Sequence, residues 1–329
     1  MAVETSELMS VVYGLDSVSV NPERSAVALG VFDAVHWGHR AIFTKLLEVS
    51  GKSGLTSKVL TFDKSPTELL APERAPHYIT TLEQRVELIA AIGVEEVIVV
   101  EFDRSFAELE PEEFLAGVLG RRLNAGAVVV GSNFRFGKGR TGDIRYLAAR
   151  IGEIKSQLHV VPSVIVDGAP VSSTRVRSLV SAGSVEAASA LLGRHFTLRG
   201  VVVQGRQVGR SIGFPTANIQ CERRQQLPAK GVYIVQCIVD GTRYDGLCNV
   251  GTNPTFGLDT LSVEVHLSAF EGNLYGKTLD VGFVRRLRSE MVFDSPDKLV
   301  EQIRQDLGQL GAAPGPGAQS KVGPESSSG

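Results

Sequence analysis

His36 and His39 stand three residues apart in GVFDAVHWGH, Gly30–His39, where an apolar run that reads as a strand gives way to a helical pattern. A helix start presents unbonded backbone amides and the positive end of its dipole, so this junction attracts phosphate. The two imidazoles add donors aimed at the same point. Gly30 and Gly38 are small enough to let a ligand come close to the main chain. Taken alone, a His pair at this spacing also suits half of a metal site or two ordinary polar residues. No Cys or carboxylate elsewhere suggests the further ligands that zinc would need.

A second segment, VSSTRVR at Val171–Arg177, offers Ser173 or Thr174 as the cap of a following helix. Arg175 and Arg177 then place cations near a positive helix end, which helix stability alone accounts for poorly. Solvated arginines on a surface helix are the alternative; read together with the His motif, the segment points to triphosphate binding. NFRFGKGRTGD, Asn133–Asp143, combines aromatics with Arg135, Lys138 and Arg140 in a Gly-rich stretch that suits a flat ring bearing a phosphate, or else is a mobile charged loop.

The later half carries GRQVGRSIGFPTANI, Gly205–Ile219. Gly205, Gly209 and Gly213 free the backbone to wrap phosphates, while Thr216 and Asn218 supply the oxygen ligands magnesium prefers. The stretch lacks the GK[ST] ending of a Walker loop, and Gly-rich turns between strands are the plain alternative. Glu264 lies on the strand-like run VEVHL, where a solvent-facing residue is the default reading.

The elements that must carry these residues differ between the two halves. From Ser25 to about Val166, strand-like runs (Ala26–Leu29, Lys58–Phe62, Glu96–Val100, Ala127–Val130) alternate with helical stretches (Gly38–Val49, Leu82–Ile92, Pro111–Leu119). That is the pattern of a parallel sheet covered by helices, an α/β domain. Thr80 or Thr81 suits the cap of the second helix, and Pro111 suits the first turn of the third. Ser173–Val180 and Val185–Leu192, stopped at Gly183 and Gly193, read as a helical junction. Beyond Phe196 the short runs Thr197–Val203, Val232–Val239, Tyr244–Asn249 and Leu261–Leu267 follow one another with no helix between them, which predicts a small antiparallel β-barrel closed by a helix at Pro296–Leu310. Arg285, Arg286 and Arg288 admit a solvated strand edge. The division expected is 1–186, 187–310 and a Gly/Pro/Ser-rich tail, 311–329, too poor in apolar residues to order itself.

The 329 residues are 43% hydrophobic with a formal net charge of −2, which fits two cored domains and gives no basic field for nucleic acid. Cys221, Cys237 and Cys248 are spaced neither for zinc nor for a disulfide framework, so they read as small buried residues of a reduced compartment. With no apolar run long enough to span a bilayer and no basic-then-apolar start, an unexported cytoplasmic protein without membrane or nucleic-acid partners is expected; no oligomeric state is implied.

GVFDAVHWGH behind a strand closely resembles the HxGH signature of the nucleotidyltransferase superfamily, and VSSTRVR is similar to the second half of that signature. With TFDKSP, YITTLEQRVELIAAIGVEEVIVVEFD and VVVGSNFRFGKGRTGD between them, the order of blocks resembles the N-terminal module of bacterial bifunctional riboflavin kinase/FMN adenylyltransferases, the prokaryotic FAD synthetases. PTAN, GVYIV, GLCNVGTNPTF, VEVHL and NLYGKTLDVGFVRRLRSEMVF resemble riboflavin kinases, so the likeness runs over roughly residues 15–310. The resemblance implies an α/β nucleotidyltransferase-like first domain with a Rossmann-like sheet, a riboflavin-kinase-like barrel, ATP as co-substrate, Mg2+, and riboflavin, FMN and FAD as substrates and products. It assigns His36 and His39 to the α-phosphate and leaving pyrophosphate, and Gly30, Phe32, Asp33, Gly38, Ser173, Thr174, Arg175 and Arg177 to ATP. Phe62, Asn133 and Arg135 are assigned to flavin. In the kinase half it assigns Gly205, Gly209, Gly213, Thr216 and Asn218 to nucleotide, the last two also to Mg2+, and Glu264 as catalytic base. The chain departs from the family at Ala34, usually Gly, and at Asn133, in many members Asp. The rivals are a kinase that has lost adenylyl transfer, for which Ala34 is the argument, a flavin-storage protein, and an adenylyltransferase for another phosphorylated substrate.

Overall fold

Ala26–Leu29, Val97–Val100 and Ala127–Val130 are apolar at every position, the usual composition of strands covered on both faces. In the computed structural model they are inner strands of a six-stranded parallel sheet, with Thr56–Phe62 between Glu96–Val100 and Ser25–Leu29. The strands run in the spatial order Ser10–Tyr13, Glu96–Val100, Thr56–Phe62, Ser25–Leu29, Ala125–Gly131 and Gln157–Val161. The structure describes residues 9–18, 23–205, 208–252 and 261–312.

Side chains alternate across a strand, so each strand feeds two cores. Val27, Leu29, Leu60, Ile98, Val128 and Val130 enter one, with Phe114, Leu115, Val118 and Leu119 packed on it. Ala26, Ala28, Val59, Val97, Val99, Ala127 and Val129 enter the other, covered by Ile42, Phe43, Leu46 and Val49 of helix Trp37–Ser53 and by Val86 and Ile89 of helix Leu82–Ala90. Thr81 caps the latter helix through a reciprocal pair with Gln84. The helix expected at Pro111–Leu119 starts at Pro111 as one α-turn and continues as a wider π-helix, Phe114–Arg122. Ser10–Tyr13 and Gln157–Val161, the two edge strands, carry half-exposed patterns that the apolar-run criterion passes over.

The described chain divides into two compact units. One holds the residues through Arg177 together with Arg224–Gln226; the other holds Ser178–Arg223 and the described residues from Leu227 onward. The helices Ser173–Ser181 and Val185–Leu192 form as expected, the second stopped by Gly193 in the left-handed region.

The second unit is a closed antiparallel barrel in the order Phe196–Val203, Ala217–Cys221, Leu261–Leu267, Thr242–Thr252, Gly231–Val239 and Thr278–Arg288. Inward residues such as Phe196, Tyr233, Val235, Cys248, Val265 and Phe283 are buried. One expectation is corrected. A short helical turn, Val208–Ser211, does intervene between strands, because the Gly-rich stretch folds back on itself. In Thr278–Arg288, residues 278–283 pair with Phe196–Val203 and residues 281–288 with Gly231–Val239, so Arg285, Arg286 and Arg288 have a strand neighbour on one side and are half-buried, as residues of a partly solvated strand edge are. The final helix is Pro296–Leu307, capped by Ser295, with a 3-10 turn at Leu310–Ala312. Most of the expected tail, residues 313–329, lies outside the described residues, as do positions 253–256 of GLCNVGTNPTF.

Cys237 and Cys248 are buried, Cys221 partly so, and all three are free thiols. Burial pushes Cys221 and Cys237 up to about 12 and Cys248 well above its ordinary value, which favours the neutral thiol at each.

Phe283 packs against Phe196 and Tyr233, with ring centroids 5.7 and 5.2 Å away. Phe283→Ala is expected to destabilise the barrel by about 3–5 kcal/mol, read as an earlier urea midpoint of near-UV circular dichroism; an unchanged midpoint would show that the cavity collapses.

Candidate functional site

In open parallel sheets ligands bind beyond the carboxyl ends of the strands. Here Gly30 follows the strand Ser25–Leu29, which lies between Thr56–Phe62 and Ala125–Gly131. The His loop therefore leaves the middle of that edge, with Phe62 ending the strand on one side and Asn133 just past the strand on the other.

The loop is held in a costly backbone shape. Phe32, Ala34 and Val35 have φ of 53°, 84° and 44°, a region that disfavours residues with a Cβ by about 1 kcal/mol or more each. Packing and hydrogen bonds fix it. Phe32 lies 4.7 Å from Phe43 and 5.3 Å from His39 by ring centroid, and Ala34 donates its N–H to Thr80 Oγ1 at 3.3 Å. Gly30 donates to the Leu60 carbonyl at 3.2 Å, and Thr61 Oγ1 donates to the Val31 carbonyl at 2.9 Å.

Asp33, only 5% exposed, collects the surrounding donors. Its carboxylate accepts from the Ile79 N–H at 3.0 Å, the Thr80 N–H at 3.1 Å, Thr80 Oγ1 at 3.2 Å and Arg177 Nη1 at 2.9 Å. Its own carbonyl accepts from Ser173 Oγ at 2.8 Å. Burial pushes the Asp33 carboxyl above the usual aspartate value, against the opposing pull of Arg85, Arg177 and the two backbone donors. Arg85 is itself buried and donates to Thr61 Oγ1 at 3.3 Å and to the Phe62 carbonyl at 2.7 Å.

His36 caps helix Trp37–Ser53: its Nδ1 accepts the His39 N–H at 3.2 Å, so the neutral ring carries its proton on Nε2. The His36 and His39 rings stack with centroids 3.6 Å apart at 19°. Gly38 sits between them, next to the Val171 carbonyl. The two halves of the signature thus meet. The cap expected of Ser173 or Thr174 falls one residue earlier, because Ser172 Oγ accepts from Arg175 N at 3.2 Å while Ser173 is turned onto Asp33. Thr174 is exposed. Arg175 is not beside Asp33; it donates to the Val166 and Ala169 carbonyls at 2.8 and 3.0 Å.

Of the residues expected at a flavin, the Phe62 ring lies in a cluster with Phe102 and Phe106, each 5.4 Å away. Asn133 is exposed in the turn after Gly131, and Arg135 pairs with Asp143 at 3.2 Å. In the sequence Thr80 is expected only as an alternative to Thr81 for the helix cap, not at the site, and Arg85 is not singled out. Arg85 has a signal there, since it falls on the same helical face as Leu82, Val86 and Ile89, where a cation needs a partner.

In the barrel, Thr216 Oγ1 lies 3.4 Å from a Glu264 carboxylate oxygen. Glu264 is the cross-strand partner of Asn218 on one side and of Asn249 on the other, which puts three oxygen-bearing side chains on one face. The glycines let the chain close around them: a Cβ on Gly205 would come within 2.1 Å of the Asn218 amide, and one on Gly209 within 2.3 Å of the Phe214 carbonyl. Gly213 ends the helical turn with φ of 88°. Thr216, Asn249 and Glu264 line a cavity of about 350 Å3 whose other walls include Val232, Leu247, Met291 and Phe293. Arg288 and Asp306 complete it as an ion pair at 2.8 Å, with Gln302 donating to Asp306 at 2.9 Å, so the closing helix is pinned to the barrel. The sequence reading missed Asn249 and Asp306, whose significance lies only in pairing across strands and helix.

Among the described residues no three His, Cys, Asp or Glu cluster as a metal site, and no helix is long and apolar enough to cross a membrane.

Residues 18–175 match the family model described as FAD synthetase, and residues 192–313 the one described as riboflavin kinase. The bifunctional riboflavin kinase/FMN adenylyltransferase of Escherichia coli (strain K12) is 37% identical over 300 residues, covering 91% of this chain and 96% of that protein. The protein of the same name from Bacillus subtilis (strain 168) is 34% identical over 288 residues, covering 86% and 90%. A crystal structure described as a macrolide-efflux protein from Streptococcus pneumoniae superposes with a TM-score of 0.84 at 32% identity, covering 92% of this chain and 99% of that one. By family models in both halves and by identity along nearly its whole length, the chain belongs to the bifunctional riboflavin kinase/FMN adenylyltransferases.

Proposed function

We propose that the barrel phosphorylates riboflavin to FMN with ATP, and that the parallel-sheet unit joins FMN to the AMP part of a second ATP to give FAD. The observation that carries this reading is the meeting of the two phosphate motifs at Asp33, which brackets His36, Ser173 and Arg177 around one point.

In the kinase step the riboflavin 5′-hydroxyl oxygen attacks the γ-phosphorus, Glu264 accepts the hydroxyl proton, and ADP leaves. Phosphoryl transfer asks little more of a protein than positioning and charge neutralisation. Thr216 and Asn218 are hard oxygen donors beside a carboxylate, which fits Mg2+. Bound there, the ion would supply charge neutralisation at the transferring phosphate. In the adenylyl step an FMN phosphate oxygen attacks the α-phosphorus of ATP and pyrophosphate leaves. His36 Nε2–H, His39 and the helix start that His36 caps donate to the charge that develops, and Arg177, oriented by Asp33, adds a fixed cation. Phe62, Asn133 and Arg135 border the same sheet edge and would contact flavin. The free, buried thiols favour a cytoplasmic setting.

Chromatography of products from riboflavin, ATP and magnesium is expected to show FMN followed by FAD. His36→Ala/His39→Ala should lower FAD formation by at least about 100-fold and leave FMN accumulating; equal loss of both activities would contradict the division of labour. Glu264→Gln should slow FMN formation by about 100-fold or more while FAD is still made from supplied FMN. Asp33 must be ionised to hold Arg177, and its carboxyl is raised above 3.8, so FAD formation should fall on acidification at a higher pH than an ordinary aspartate would impose. A pH-rate profile with no acid limb above that value would count against this.

A further inference from the structure

The first unit includes three residues far along the chain, Arg224–Gln226, from the polar run ERRQQL that follows the barrel strand Ala217–Cys221. A polar connection of this kind ordinarily lies in solvent. Gln225 is instead only 3% exposed. It forms a parallel bridge with Tyr78, whose N–H donates to the Arg224 carbonyl at 2.7 Å and whose carbonyl accepts from the Gln226 N–H at 2.7 Å. The Gln225 amide donates to Gln84 Oε1 at 3.4 Å, the same oxygen that accepts the Thr81 N–H at 3.0 Å. Arg224 donates to the Ala75 carbonyl at 3.0 Å and lies 3.6 Å from Glu68, which also accepts from the Tyr78 hydroxyl.

Tyr78 is followed directly by Ile79 and Thr80, the residues whose N–H groups hold the Asp33 carboxylate. A continuous set of hydrogen bonds therefore runs from residues 224–226 through Tyr78 to Asp33 and the strained loop that ends at His36. We infer that Arg224 and Gln225 are positioning residues for adenylyl transfer: they fix segment 75–84, and through it the register of Asp33 and the His loop. The inference rests on the adenylyl-transfer reading above. It extends that site beyond residues 18–175, where the FAD synthetase likeness lies.

Misplacement of reacting groups by a fraction of an ångström acts on the rate more than on ground-state binding. In the full-length chain, Arg224→Ala/Gln225→Ala is therefore expected to lower kcat for FAD formation from FMN and ATP by about tenfold, with KM for FMN changed by less than about threefold. Riboflavin phosphorylation, measured on the same preparation, should stay within about twofold and reports that the chain is folded. Arg224→Lys keeps a cation facing Glu68 and should retain most of the activity. The inference is overturned if the double variant forms FAD at the wild-type rate. It is equally overturned if both activities fall together, which would make residues 224–226 a general structural element. Wild-type protein that phosphorylates riboflavin but forms no FAD would sink the adenylyl-transfer reading itself, and this inference with it.

Discussion

A buried aspartate is costly: removing its charge from water carries a penalty of several kcal/mol unless good partners replace the lost solvent. Asp33 is tolerated because its donors come from Ile79, Thr80 and Arg177, and those same donors belong to the elements that have to converge around a nucleotide. The carboxylate therefore does for the first unit what a bound ion does elsewhere, drawing separate segments to one point. The positive-φ conformations at Phe32, Ala34 and Val35 persist because this point over-determines the loop. Ala34 shows the balance most clearly. Its methyl is fully buried and its N–H engaged, so an unfavourable backbone shape is retained where glycine would adopt it freely.

The barrel solves the same problem with different means. Strand pairing alone sets Asn218, Glu264 and Asn249 side by side, and the Gly-rich return brings Thr216 onto the carboxylate. Closure leaves no edge to satisfy, so the apolar inner positions and the polar cavity wall coexist on neighbouring strands. The Arg288–Asp306 pair then fastens the last helix as a wall. Because Asp306 is almost wholly buried, that contact depends on Arg288 and Gln302 both being present.

What could be read from the sequence was local. Strand interiors with continuous apolar runs and the helix Val185–Leu192 with its Gly193 stop are each written in fewer than twenty consecutive residues, and form where the pattern puts them. What escaped was non-local or two-sided. Asp33 meets Thr80 across 47 positions and Arg177 across 144, and no period or spacing encodes such a meeting. The edge strands Ser10–Tyr13 and Gln157–Val161 lack a second buried face, so their pattern is weak. That the arginines near the end of Thr278–Arg288 pair with Gly231–Val239, some fifty positions earlier in the chain, is likewise not written locally.

All three cysteines lie in the barrel unit, two of them fully enclosed, and the first unit has none. Thiol-reactive reagents thus find Cys237 and Cys248 closed to them while the barrel stays shut, and modification of those two becomes a clock for its opening. The molecule carries a built-in probe that reports on one half and is silent about the other, so the local breathing of the two halves can be told apart without adding a label site.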